Sequence, residues 1–302
     1  MDALSTLIEA SQLQGVVYSK IVNHAPWGVD AVQDNNSQYW QLISGGCFIG
    51  LPNGQLIEMQ IGELVFIPHG SAHWIADKPG SLRIPAADYV KARLAGIPIF
   101  SGEGAETTLI GGHFHFEDGL IHPFLKDLPQ VIRIPKFETE RQLLLQQNIR
   151  LIWIELNNEE QGSRAMLKAL AEILFIQIIR AYMEQDIPHT GFLAALKDAR
   201  ISKALKLIQD SPESDWTMES LADSVGMSRS VFFNRFKILV GETPSNYLTS
   251  WRIRKAKELM TSNNTKIIDI AANVGYRSEA AFNRVFKIKT GKTPALYRRD
   301  LL

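Results

Sequence analysis

The chain is expected to fold as an α+β protein of two domains, a strand-rich barrel or sandwich followed by an all-α domain. Three observations carry this expectation. Between about residues 15 and 135, short apolar runs are separated by Gly, Pro and Asn, the pattern of short strands joined by turns. From about Glu138 the apolar residues recur at helical spacing. In the last third one segment is written twice. Leu221-Ala222-Asp223-Ser224-Val225-Gly226 returns as Ile270-Ala271-Ala272-Asn273-Val274-Gly275 at an offset of 49, and Phe236-Lys237, Gly241, Thr243-Pro244 and Tyr247 return as Phe286-Lys287, Gly291, Thr293-Pro294 and Tyr297 at an offset of 50. The second copy therefore holds one extra residue just after its first glycine. A repeat of this length marks one supersecondary unit used twice.

In the strand-rich part, Tyr39 to Ile43 and Cys47 to Leu51 are apolar runs followed by the turn residues Pro52-Asn53-Gly54. Leu64-Val65-Phe66-Ile67 stops at Pro68, and Thr107 to Phe116 is a further strand candidate. Many short strands of this kind predict a barrel or sandwich. Arg164 to Tyr182 then reads as a helix with Leu167, Leu170, Leu174, Ile178 and Ala181 on one face. Ile187 to Gly191 reads as a linker, and everything from Ala194 reads as helical.

Bulk properties bound the function. Apolar residues are 45% and charged residues 21% of 302, ordinary for a soluble globular protein. The longest apolar stretch, Ile173 to Ile179, is too short to span a bilayer. Met1-Asp2-Ala3-Leu4 lacks the basic and apolar regions of a secretion signal, and a single cysteine, Cys47, excludes an internal disulfide. Together these point to the cytoplasm. Cys47 is expected to be a buried strand thiol rather than a reactive one. The net charge is zero, yet residues 1–199 hold 14 Lys+Arg against 22 Asp+Glu, while residues 200–302 hold 18 against 10. The repeated segment lies in the basic third, which suits contact with a polyanion.

Each copy reads as a helix, a turn glycine and a second helix, the helix-turn-helix pattern. In the first, Thr217 and Ser228 are expected caps, Gly226 the turn, and Val231, Phe232, Phe236 and Leu239 the core. In the second, Gly275 and Ser278 take these places, with Ala281, Phe282 and Phe286 as the apolar face. The second helices expose polar residues near their starts: Ser228, Arg229, Ser230 and Asn234 in one, Ser278, Glu279, Asn283 and Arg284 in the other. Such side chains reach base edges or phosphates when a helix sits in a major groove, Arg favouring guanine and Asn adenine. Between the copies, Ser245 to Met260 reads as a connecting helix with a basic side of Arg252, Arg254, Lys255 and Lys257. It would fix the two readers relative to each other, and because successive major-groove openings lie about 34 Å apart along one DNA face, both could read one site of roughly two turns. Arg252 is counted with the DNA-binding candidates, and the one-residue insertion predicts an asymmetric site.

Gly226 to Tyr247 and Gly275 to Tyr297 resemble the paired motifs of AraC-type (AraC/XylS) transcription regulators, the second copy especially, through Ile270-Ala271, Val274-Gly275-Tyr276, Phe282, Arg284, Phe286-Lys287, Gly291, Thr293-Pro294 and Tyr297-Arg298. The resemblance implies a DNA-binding unit of two helix-turn-helix subdomains that activates transcription near a promoter, with RNA polymerase as a partner. Ahead of it, Gly62, Pro68, Gly70 and His73 resemble the second motif of cupin barrels, which places His73 in the barrel mouth. The earlier His-x-His of metal-binding cupins is absent; Tyr39-Trp40-Gln41 stands there. A later one, His113-Phe114-His115, shares a strand face and with His73 makes a candidate three-imidazole site for a divalent transition metal. His69 and His122 are expected on loops. The whole layout resembles AraC-type proteins with a cupin sensor.

The resulting expectation is a cupin-like β-barrel with following helices over residues 1–192, including a helical segment at 138–186, and an all-α DNA-binding domain over 193–302. Within the latter, the first helix-turn-helix covers about 217–240, the linker helix about 245–261 and the second helix-turn-helix about 266–290. The expected function is sequence-specific regulation of transcription on double-stranded promoter DNA, governed by a small-molecule, metal or reactive-species effector at the first domain. The Leu167/Leu170/Leu174 stripe fits packing on the barrel or pairing in a homodimer. A metal-dependent cupin enzyme with a helical appendage is the competing reading.

Overall fold

The structure, a computed structural model, describes residues 13–34, 36–116, 125, 127–136, 140–158, 160–185, 191–262 and 265–300. The linker expected at Ile187 to Gly191 lies, apart from Gly191, outside them, as does His122. Residues 13–116 and 128–185 form one compact unit; residues 191–300, with Leu125 and Asp127, form another.

The first unit is a pair of five-stranded sheets. One runs in the order β1 (Leu13–His24), β9 (Glu106–Phe116), β3 (Ser37–Ser44), β6 (Leu64–Ile67), β10 (Ile132–Ile134). The other runs β5 (Leu56–Met59), β4 (Cys47–Gly50), β7 (His73–Ala76), β2 (Gly28–Ala31), β8 (Ile84–Pro85). The pairings are antiparallel except β2 with β8. Strand alternation sends Leu42, Val65, Ile67 and Leu109 into the space between the sheets, where they meet Trp27, Ile49, Ile57 and Ile75. The opposite face of the first sheet is also buried. Phe66 and Phe114 lie 6.1 and 5.3 Å from the ring of Phe175, which sits on α3 (Ser163–Glu184). Because β6 is covered on both faces, Leu64 to Ile67 is apolar at every position rather than alternating. Helix α2 (Glu140–Asn158) packs against α3. A helix that the turn-rich sequence conceals, α1 (Ala86–Leu94), places Tyr89 in the inter-sheet core.

The second unit is helical: α4 (Gly191–Lys197), α5 (Ala199–Asp210), α6 (Met218–Ser224), α7 (Arg229–Val240), α8 (Pro244–Ser262), α9 (Ile267–Asn273), α10 (Glu279–Thr290) and α11 (Pro294–Arg299). Helix α8 serves two cores. Its first half brings Tyr247 and Trp251 to the aromatic group of Phe192, Phe232 and Phe236, with ring separations of 5.6 to 6.4 Å. Its second half brings Ile253, Ala256 and Met260 to Ile270, Val274, Phe282 and Phe286. Each fully buried phenylalanine contributes about 1.5–3 kcal/mol from apolar surface removed from water. No helix among the described residues is long and apolar enough to cross a membrane.

Candidate nucleic-acid interface

Local chemistry starts each helix pair where the repeat begins. Thr217 Oγ1 accepts from Ser220 N at 3.0 Å and Ser220 Oγ accepts from Thr217 N at 2.9 Å, a reciprocal cap on α6. Gly226 and Gly275 turn the chain with φ of +64° and +83°. Ser278 caps α10 by accepting from Ala281 N. Ser228 occupies the N-cap position of α7 but makes no side-chain cap bond, contrary to expectation. The paired helices confirm the insertion: α6 and α9 start 49 residues apart, α7 and α10 start 50 apart, and the turn ahead of α10 is the longer one.

Phe232, Phe236, Phe282 and Phe286 bury one side of α7 and α10, leaving the opposite side in solvent. On α7 the exposed stripe is Ser230, Val231, Asn234, Lys237 and Ile238. On α10 it is Ala280, Ala281, Arg284, Lys287 and Ile288, position for position at the offset of 50. Arg229 and Glu279 are exposed at the helix starts, and Arg229 Nη1 lies 2.7 Å from Glu219 Oε1. Asn283 departs from the expected cluster. It matches Phe233, is half-buried beside the stripe, and its Oδ1 is buried without a hydrogen-bond partner.

Arg252 is the larger correction. Expected on an open basic face, its guanidinium is committed to backbone: Nε donates to Pro212 O at 2.6 Å and Nη2 to Ser214 O at 2.9 Å. Arg254 is buried, stacked over Trp251 at 4.9 Å. Lys255 reaches Glu258 at 3.0 Å, and Lys257 lies over the Tyr297 ring. Helix α8 is therefore a packed strut at Arg252 and Arg254, while Lys255 stays exposed.

The histidines of the first unit are not brought together as a metal ion needs. Among the described residues there is no group of three His, Cys, Asp or Glu side chains able to hold one. His73 Nε2 accepts from Trp40 Nε1 at 3.2 Å, and His73 Nδ1 donates to Ser71 O at 2.9 Å, since a carbonyl can only accept. Both ring nitrogens are thus occupied. Burial pulls the His73 pKa below its ordinary value, against the opposing pull of the Ser71 carbonyl and Asp34. His115 Nδ1 lies 2.7 Å from Asn36 Oδ1, and His113 is half-buried with Nδ1 unpartnered. His69 Nε2 donates to Leu128 O at 2.8 Å. Cys47 is buried, and burial pushes its thiol up to about 12.

Comparison with known proteins assigns both units. Residues 2–184 match the family described as Cupin, and residues 221–300 match that described as Helix-turn-helix domain. The chain is 28% identical to the HTH-type transcriptional regulator AlkR of Acinetobacter baylyi over 99% of this chain and 100% of AlkR. It is 34% identical to an AraC-like transcription regulator of Streptomyces lividans over 66% of each chain.

The chain belongs to the AraC family of DNA-binding transcription regulators, with an N-terminal cupin domain.

A further relative is the RCS-specific HTH-type transcriptional activator RclR of Escherichia coli, 25% identical over 99% of this chain and 97% of RclR. In this AraC-type chain the polar candidates account for only part of the exposed face. Val231 and Ala281, at equivalent places and expected in the core, are instead exposed, because the phenylalanine beside each already fills the core. Lys237 and Lys287, six residues further along the same stripes, add a cation at equivalent places. The repeat itself held the signal, because any position that is exposed in one copy can be read off at the same offset in the other.

Proposed function

We propose that α7 and α10 are the two DNA-reading helices, with Ser230, Asn234 and Arg284 facing base edges, Val231 and Ala281 facing thymine methyl groups, and Lys237, Lys287 and Arg229 facing phosphates. The observation that carries this reading is the pair of solvent-facing stripes at equivalent positions of the repeat. Binding is to double-stranded promoter DNA in the cytoplasm, and the outcome is activation through RNA polymerase, a role supported by the description of RclR as an activator. The cupin domain receives the signal, a small molecule, metal or reactive species. It also pairs two copies of the chain. The exposed apolar side chains Leu143, Leu144, Leu151 and Ile154 on α2 and Ile173 on α3 support pairing, as does the adjoining cleft of about 1120 Å³ lined by Leu144, Ile173, Glu140 and Arg180.

A fluorescence anisotropy titration with fragments from upstream of neighbouring genes tests this. Binding should weaken with salt at a log–log slope of about −5 if roughly five phosphates are contacted. Arg284→Ala should narrow the gap between specific and nonspecific DNA by about tenfold or more. No fragment bound at low salt, or an equal loss on every sequence, would refute the assignment of Arg284 as a reader.

A further inference from the structure

The two helix-turn-helix units touch at one joint, and Arg252 is at its centre. It rises from the middle of α8 and holds the loop between α5 and α6 through Pro212 O and Ser214 O. On its other side its guanidinium lies 5.7 Å from the ring centroid of Tyr276, in the turn that precedes α10. The same loop and the same turn meet directly. Glu213 O occupies the space beside Gly275, 2.7 Å from where a Cβ would stand, and Arg277 Nη2 lies 2.7 Å from Asp215 Oδ2. At the far end of α10, Lys289 Nζ donates to Asn246 Oδ1 at 2.8 Å and Ser250 Oγ at 3.1 Å on α8. The second reading helix is therefore tied to α8 at its C-terminal end and, through its preceding turn, to the first motif. A 19-residue helix alone can bend. A planar guanidinium fork clasping two backbone carbonyls and stacking on a ring permits little rotation.

We propose that Arg252 is a positioning residue that sets the distance and rotation between α7 and α10, so that the protein selects DNA by the spacing of its two contact regions as well as by their sequences. This rests on the reading of α7 and α10 as the DNA-contacting helices. One inserted base pair moves one contact region by about 3.4 Å along the duplex and, at about 10.5 base pairs per turn, swings it by about 35°. A hinged pair of readers follows such a shift; a locked pair does not.

The test uses the full-length protein and an operator selected from random-sequence DNA, with versions carrying one base pair inserted or deleted between the two contact regions. For the unaltered protein each spacing change should weaken binding by about tenfold or more, the cost of roughly one lost base contact. Arg252→Met, which keeps the aliphatic stem and removes both donors, should shrink that penalty to about threefold. Asp215→Asn, an exposed change that removes the Arg277 ion pair and weakens the attraction to Arg252 while leaving the Arg252 hydrogen bonds, should shrink it by less, and Arg252→Lys should restore part of it. An unchanged penalty in Arg252→Met would overturn the proposal, whatever Asp215→Asn does. So would an Arg252→Met loss that is equal at every spacing, since that is what a purely structural role produces. If alanine at both Asn234 and Arg284 leaves binding of the unaltered-spacing operator intact, the assignment of the reading helices fails, independently of how Arg252 behaves.

Discussion

Gly226 and Gly275 occupy the same place in the two motifs and both have positive φ, yet alanine at the two positions should have very different effects. At Gly226 a Cβ meets no heavy atom within 4 Å, so Gly226→Ala costs only the left-handed backbone, about 1–2 kcal/mol. At Gly275 the same backbone cost applies, and the Cβ also falls 2.7 Å from Glu213 O and 2.8 Å from Arg252 Nη2. A backbone oxygen cannot step aside as a side-chain tip can. The loop must move, and the Arg252 bonds to Pro212 O and Ser214 O go with it. Hydrogen bonds to a charged group contribute about 1.5–3 kcal/mol each. Counting the loss of only one of them, Gly275→Ala costs about 2.5–5 kcal/mol in all. Because the chain has two units, a single melting midpoint mixes their stabilities. The assay is amide hydrogen exchange, read separately on α6–α7 and on α9–α10. Gly275→Ala should raise exchange over α9–α10 by about a hundredfold or more, while Gly226→Ala raises it over α6–α7 by about tenfold. Equal effects at the two sites, or the larger effect at Gly226, would refute the steric reasoning.

Three further outcomes follow from the cupin domain. His73 has a depressed folded pKa, as does His113, so the unfolded chain binds protons more readily near pH 6; their contribution to stability is complete above the ordinary histidine pKa of 6.5 and is lost as pH falls below it. Denaturant midpoints for this domain should drop between pH 7 and pH 5, and His73→Gln should flatten that slope; an unchanged slope in both His73→Gln and His113→Gln would contradict the argument. Cys47 should resist iodoacetamide in the folded protein at pH 8 and react once urea unfolds it, and stoichiometric labelling of the folded chain would show the thiol to be accessible. Gly111→Ala places a Cβ in the Trp40 ring that holds His73 Nε2, so it should destabilise the domain by about 1–3 kcal/mol in urea unfolding; a change below about 0.5 kcal/mol would mean that the ring has room to move.

The C-terminal domain was the more legible part because its signals are local. Thr217, Gly226, Ser278 and Gly275 sit where capping and turn chemistry place them, and of the apolar positions picked out by periodicity Phe232, Phe236, Phe282 and Phe286 are fully buried while Val231 and Ala281 are exposed. In the first domain the strands around Tyr39, Cys47, Leu64 and Thr107 were equally readable, since each is a short apolar run closed by turn residues. Helix α1 was not, because Pro85 and the short, mostly exposed Ala86–Leu94 segment leave little periodic signal. The histidine site failed for a different reason. Spacing puts His113 and His115 on one strand face, but it cannot say that Trp40, from another strand, would take the free nitrogen of His73.

The sequence alone determined that a helix-turn-helix unit is used twice, that the second copy has the longer turn, and that the basic charge lies with the pair. These are properties of neighbours along the chain, set by period, capping and glycine conformation. Which of the basic residues are available was decided only by tertiary structure. Arg252 and Arg284 are both arginines on amphipathic helices, and nothing within a few residues of either distinguishes them. What separates them is the arrival of Pro212 and Ser214, some forty residues away, whose carbonyls lie within hydrogen-bond reach of one guanidinium and not of the other. Those two bonds make one arginine a strut, and the other stays in solvent.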